Sequence, residues 1–183
     1  HSIHSKNRYN ELRFTVQNTL GSEGAPRRSY VSYPEWMTSR KRVVRGIVEH
    51  GRELFMLQKD ATSSKPNLWE YPGGNHDAGE TENETFEREM CEETGVEVRA
   101  VVERAKPVGS VFYQYWKDGT VFSSETKIRH SLFLDDEKRP GLSFIAGTRD
   151  HHQDARWQSV KDVWAGRIGL TRPTNMIRRN FTI

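Results

Sequence analysis

Hydrophobic positions are scattered through the first 40 residues and become ordered only from Val43. Before that point, Arg13–Thr19 (RFTVQNT) has the pattern of a short strand and residues 21–28 have the composition of a loop. Val43, Val44, Ile47 and Val48 precede His50-Gly51, and Leu54, Phe55, Met56 and Leu57 follow, which predicts two strands around a tight turn. A polar loop from Gln58 to Asn67 leads into Leu68–Tyr71, a short strand stopped by Pro72-Gly73-Gly74. Thr81 with Glu84 three residues on has the form of a capping box, and Gly95 is placed to end the helix it opens. Phe86 and Met90, at i and i+4, give that helix an apolar stripe. Val96–Val102 predicts the next strand, and Val111–Trp116 with Thr120–Phe122 predicts a hairpin around Lys117-Asp118-Gly119. Lys127–Leu134 and Ala155–Val160 predict further strands, with short helices through Ala165 and from Pro173. The sum is a mixed α/β fold with one sheet, no repeat and no boundary after residue 43.

Composition limits the classes open to this pattern. Hydrophobic residues are only 34% of the 183, yet five Trp, eight Phe and six Tyr can build one core. No apolar run approaches the ~20 residues that cross a bilayer, and no signal peptide is visible at the start. Cys91 is the single cysteine, so no internal disulfide forms; a reducing cytoplasm is the expected compartment.

Charge is unevenly spread. The net charge is +3, but residues 1–45 hold nine Lys or Arg against three acids, while residues 74–96 hold eight acids and only Arg88 as a base. A basic protein with one acidic segment suits a cation site facing an anionic ligand. The basic segment, residues 1–40, reads as an N-terminal extension ahead of a domain spanning 41–183. It is either a solvated tail or a phosphate or RNA contact.

The acidic segment carries the chemistry. In REMCEETG (88–95), Glu89, Glu92 and Glu93 stand at i, i+3 and i+4 of the predicted helix, where like charges repel. A hard divalent cation held by oxygen ligands makes such a cluster favourable; a solvated helix face is the other reading. Pro72-Gly73-Gly74 lies upstream, where glycines let the backbone turn and approach a ligand. Gly74, Glu80, Arg88-Glu89-Met90, Glu92-Glu93 and Gly95-Val96, at their spacings here, resemble the Nudix box at every specified position. The strand pair of Val43–Leu57, Trp69–Gly74 (WEYPGG) and Asp154–Trp157 also look like Nudix counterparts, so the resemblance runs from about Val43 to Ala165. Phe86 departs from it, standing where the family often has Ala.

The resemblance implies an α/β/α sandwich with a mixed central sheet and a divalent-metal-dependent pyrophosphohydrolase. Mg²⁺ or Mn²⁺ would be held by Glu89, Glu92, Glu93 and the carbonyl of Gly73. Arg88 would orient the carboxylates, with Glu80 in support or as an outer metal contact. Glu89 or Glu92 is the first choice of general base, and Glu125 or Asp154 the second. The substrate class is a nucleoside diphosphate linked to X, and WEYPGG is most similar to the MutT-like branch acting on nucleoside triphosphates.

Substrate contacts are read from residues outside the box. Trp69 could stack on a base or pack in the core; Tyr113 could stack or be part of an aromatic strand. Lys127 and Arg129 alternate along one strand face and could meet phosphates or solvent. His151-His152-Gln153-Asp154 reads as a surface loop entering a strand, with a metal ligand or base as the lesser reading. Trp157 and Trp164 are expected in the core, and Cys91 has no paired His to make it a nucleophile. The alternatives to a nucleotide hydrolase are an RNA 5′-end or dinucleoside polyphosphate Nudix enzyme, or a non-catalytic nucleotide- or RNA-binding domain. A homodimer is compatible with all of them.

Overall fold

The structure, a computed structural model, describes residues 15–18, 38–117, 120–146 and 151–181. Most of the basic extension, read as either a solvated tail or a phosphate or RNA contact, and the Asp118-Gly119 turn lie outside the described residues. Two long strands, β2 (Thr38–His50) and β7 (Thr120–Phe133), run parallel and in register from Thr38↔Val121 to His50↔Phe133. β6 (Lys106–Lys117) pairs antiparallel with β7, and β1 (Thr15–Asn18) adds to the far edge of β6. Part of the N-terminal segment therefore belongs to the sheet. Parallel and antiparallel pairs together make the mixed sheet expected.

On its other side β2 turns into β3 (Glu53–Lys59), but the two bond only next to the turn, at Glu49↔Leu54 and His50↔Glu53. Beyond it they splay. The fork is filled by β4 (Trp69–Glu70), which pairs with β3, and β5 (Gly73–Asn75), which pairs with β2. The outer edge of β3 is covered by β8 (His152–Ser159). This fork positions the site.

Among the described residues four helices flank the sheet: α1 (Glu82–Glu93), α2 (Val98–Arg104), α3 (Val160–Trp164) and α4 (Arg172–Asn180). Alternation along the strands decides which face each covers. Val44, Val48, Phe55 and Leu57 pack with Phe86 and Met90 of α1 and Val98, Val101 and Val102 of α2. Ile47, Leu54 and Met56 point the other way, against Val163 of α3 and Met176 and Ile177 of α4. The result is the α/β/α sandwich. Phe86 and Met90 are wholly buried, each contributing about 1.5–3 kcal/mol of burial free energy.

Three expectations are corrected. Val96–Val102 is not a strand: Val98, Val101 and Val102 sit at i, i+3 and i+4 and bury one face of α2. Pro72-Gly73-Gly74 does not simply stop β4, because the glycines form β5 against Val44 and Arg45. Thr120–Phe122 and Lys127–Leu134 are not separate strands, since β7 runs through both. No described helix is long and apolar enough to cross a membrane.

Candidate active site

Helix α1 starts as its sequence dictates. Thr81 Oγ1 accepts the Glu84 N–H and Glu84 Oε2 accepts the Thr81 N–H, closing a reciprocal cap. With its start fixed and Phe86 and Met90 buried, the helix directs Glu89 and Glu93 to the fork of the sheet. Both are buried, at 4% and 1% exposure. Glu93 Oε2 accepts the Gly73 N–H at 2.7 Å. Gly73 has φ 124°, and a Cβ there would stand 2.1 Å from the Val44 carbonyl oxygen, so only glycine fits. Glu89 lies against the next residue: a Cβ on Gly74 would be 2.4 Å from its Oε2. Glu92 differs, its side chain half exposed and 3.7 Å from Arg88.

Arg88 ties this edge together. It donates to Glu80 Oε1 and Oε2 at 2.7 and 3.0 Å, to Glu89 Oε1 at 2.8 Å and to the Asn75 carbonyl at 2.8 Å. The Glu80 hydrogen bond holds Arg88 firmly cationic, with the charge of Glu89 adding to it despite partial burial. In turn the Arg88 hydrogen bond brings the Glu80 carboxyl down to about 2. Glu80 also accepts from Thr85 and the Asp77 N–H, so it supports Arg88 from the loop before the helix.

A second charged cluster abuts Glu93. Glu70, on β4, is buried beside Lys59 at 2.8 Å and Arg45 at 3.3 Å. Burial pushes its carboxyl up, but Arg45, the His152 hydrogen bond and Lys59 together outweigh that and hold it well below the usual range. His152 fills the space between Glu70 and Glu93, with its Nε2 2.9 Å from Glu70 Oε1 and its Nδ1 3.6 Å from Glu93 Oε1. The surface reading of the 151–154 segment holds for His151 and fails for His152, whose side chain is 1% exposed. Nothing local in the sequence marks His152, because its partners are 82 and 59 positions away.

The remaining sequence candidates are dispersed. Trp69 is packed in the core beside Ile47, Tyr71 and Met176, so the stacking reading gives way to packing. Tyr113 leans on that same cluster, on the α4 side. Lys127 is on the α1 side, its Nζ 2.7 Å from Glu125, lining a cavity of about 230 Å³ with Arg42, His76 and Glu82. Arg129, expected to share its face, is buried and donates to the Ala105 carbonyl. Asp154 bonds the neighbouring Ala155 N–H and Arg156. Trp157 packs edge-on against Phe55 at 5.5 Å. Burial and the charges of Glu87 and Glu92 push the Cys91 thiol up, which weakens it as a nucleophile.

The donor set suits a hard cation. Among the described residues no three His, Cys, Asp or Glu side chains form a ready cage. Mg²⁺ does not need one: it keeps waters and takes one or two carboxylates together with substrate phosphates. Two buried carboxylates pressed on glycine backbone, a third at the rim and Arg88 beside them meet that requirement.

This geometry and topology define a class. The chain belongs to the Nudix family, whose model, described as NUDIX domain, matches residues 39–179. It is 34% identical over 55 residues to a CTP pyrophosphohydrolase of Escherichia coli (strain K12), covering 30% of this chain and 41% of that protein. It is 39% identical over 56 residues to a putative 8-oxo-dGTP diphosphatase 2 of Mycobacterium tuberculosis (strain CDC 1551 / Oshkosh), covering 31% and 40%. These matches span about two fifths of each relative. Among solved structures, the E. coli ORF135 protein superimposes with a TM-score of 0.57 at 21% identity, over 81% of this chain and 93% of that one. A MutT NUDIX hydrolase from Burkholderia pseudomallei gives 0.56 at 16% identity, over 79% and 99%. At such identities the structural likeness establishes the fold.

Proposed function

We propose that this chain is a divalent-metal-dependent pyrophosphohydrolase that cleaves the diphosphate linkage of a nucleoside diphosphate linked to X. The substrate we favour is a nucleoside triphosphate. The observation that carries the proposal is the pair of buried carboxylates, Glu89 and Glu93, set against Gly74 and Gly73 and flanked by Arg88. Arg88 and the Gly73 N–H compensate these buried charges in part, and a cation with its phosphate ligand would complete that compensation. The activities named for the curated relatives, on CTP and 8-oxo-dGTP, support a nucleotide substrate.

Glu89, Glu93, Glu92 at the rim and the Gly73 carbonyl would hold Mg²⁺ or Mn²⁺. When bound there, the cation would supply charge neutralisation for the diphosphate oxygens and would acidify an attacking water. Arg88 keeps Glu89 in place through its fork of hydrogen bonds, and Glu80 keeps Arg88 in place. Glu89 or Glu92 would take a proton from the attacking water. Lys127, on the α1 side, is the proposed substrate contact, by exchanging Glu125 for a phosphate; Tyr113 faces the α4 side, away from the carboxylates.

The test is phosphate or pyrophosphate release from a panel of nucleoside triphosphates, dinucleoside polyphosphates, nucleotide sugars and capped RNA, with and without Mg²⁺ or Mn²⁺. Turnover is expected on the triphosphates, only with metal, and is expected to vanish in Glu93→Gln. Undiminished turnover by that variant would refute the assignment.

A further inference from the structure

We infer that His152 is a positioning residue for Glu93, holding the orientation of that carboxylate from the side opposite Gly73. The inference rests on the proposed metal-dependent reading of the α1 site and deepens it.

The two oxygens of Glu93 meet different neighbours. Oε2 accepts the Gly73 N–H, and Oε1 faces the His152 ring across 3.6 Å. An ionised carboxylate only accepts hydrogen bonds, so the 2.9 Å contact with Glu70 is a bond donated by His152 Nε2. That bond fixes the ring. Glu70 is itself held by Lys59 and Arg45, so the ring is anchored to β2, β3 and β4 at once. With both side chains 1% exposed, the ring occupies the space into which the Glu93 carboxylate would otherwise rotate. Partners behind a metal-holding group orient it in this way and typically govern affinity by ~10–100-fold when removed.

The two ring nitrogens can be tested separately. His152→Gln keeps a donor near Nε2 for Glu70 and loses the group facing Glu93. His152→Asn keeps an amide near Nδ1 and loses the Glu70 bond. Mn²⁺ alone is titrated into the folded protein, with free ion read by electron paramagnetic resonance, folding by circular dichroism, and kcat and KM measured in parallel. His152→Gln is expected to bind Mn²⁺ ~10-fold more weakly and to lose kcat with little change in KM; His152→Asn, which keeps a group facing Glu93 but loses the anchoring bond to Glu70, is expected to fall between His152→Gln and wild type. A folded His152→Gln protein with wild-type Mn²⁺ affinity, or two variants equally affected, would overturn the inference. Loss of the folded state in both would assign His152 to the fold and overturn it too. Glu93→Gln is the control that separates the two levels. Absence of Mn²⁺ uptake by wild type removes the proposed function, whereas uptake lost in Glu93→Gln but not in His152→Gln removes only this inference.

Discussion

A Cβ on Gly46 would stand 2.0 Å from Cε2 of Phe86, so the ring occupies the space that a side chain on β2 would need. This is how the chain accommodates a phenylalanine at position 86. Gly46→Ala is expected to cost about 1–3 kcal/mol through overpacking, and Phe86→Ala about 3–5 kcal/mol through the void it leaves. The double variant should cost clearly less than the two together, because the new methyl refills part of the void. Urea unfolding of all four proteins measures this; strictly additive costs would mean that the ring and the glycine are not coupled.

Much of the site was legible because it is local. The cap at Thr81 and Glu84, the stripe of Phe86 and Met90 and the acidic face all lie within one helix, and short-range spacing encodes them. The helix α2 was misread because four valines in seven residues favour a strand by propensity, whereas their i, i+3, i+4 spacing was the stronger cue. The strand β5 was hidden because three residues carry no period. The clamp of Glu70, His152 and Glu93 left no trace in any window of sequence, since three separate segments supply it and only the splaying of β2 and β3 brings them together.

Arg88→Lys is expected to lower kcat by ~10–100-fold without unfolding the protein. The guanidinium reaches Glu80, Glu89 and the Asn75 carbonyl in one plane, and an ammonium on a flexible stem cannot reproduce that fork. The effect should be as large in Arg88→Met. If Lys restored full kcat, positive charge alone would suffice and the fork geometry would be irrelevant.

Acid stability follows from the same contact. The Glu80 carboxyl, ordinarily near 4.5, stands at about 2 in the folded chain chiefly through its Arg88 hydrogen bond. The unfolded chain therefore binds this proton more readily than the folded one. The resulting stabilisation is complete above about pH 4.5 and is lost as pH falls towards about 2. In Arg88→Met the folded carboxyl moves back towards its ordinary value, so melting temperature should vary less steeply with pH across that window. Parallel curves for the two proteins would remove Arg88 as the cause.

Deletion of residues 1–37 should act through the sheet. β1 covers the outer edge of β6 from Gly109 to Phe112, and its removal bares a row of backbone donors and acceptors. The shortened protein is expected to melt at a lower temperature and to self-associate with rising concentration in sedimentation experiments. Its turnover per folded molecule should survive, because the α1 site lies across the sheet from β1. An unchanged melting temperature with a monomer at every concentration would show that β1 contributes nothing to the edge.

The three box carboxylates should not be equivalent. Glu93 is buried with one oxygen anchored to Gly73, Glu89 is buried against Gly74 with Arg88 on its other oxygen, and Glu92 is half exposed with its nearest cation 3.7 Å away. A buried carboxylate set in place has little freedom to be replaced by a neighbour, whereas one at a rim can be substituted by water in the ion's shell. Glutamine at 93 or 89 should therefore weaken Mn²⁺ binding by at least ~10-fold, and glutamine at 92 by less. If Glu92→Gln nevertheless loses kcat by ~10²–10⁴-fold, that split of rate from metal affinity would mark it as the general base. The matching split in Glu89→Gln would give the role to Glu89 instead, and the variant whose residual kcat has lost the acid limb of its pH profile would be the one lacking the base.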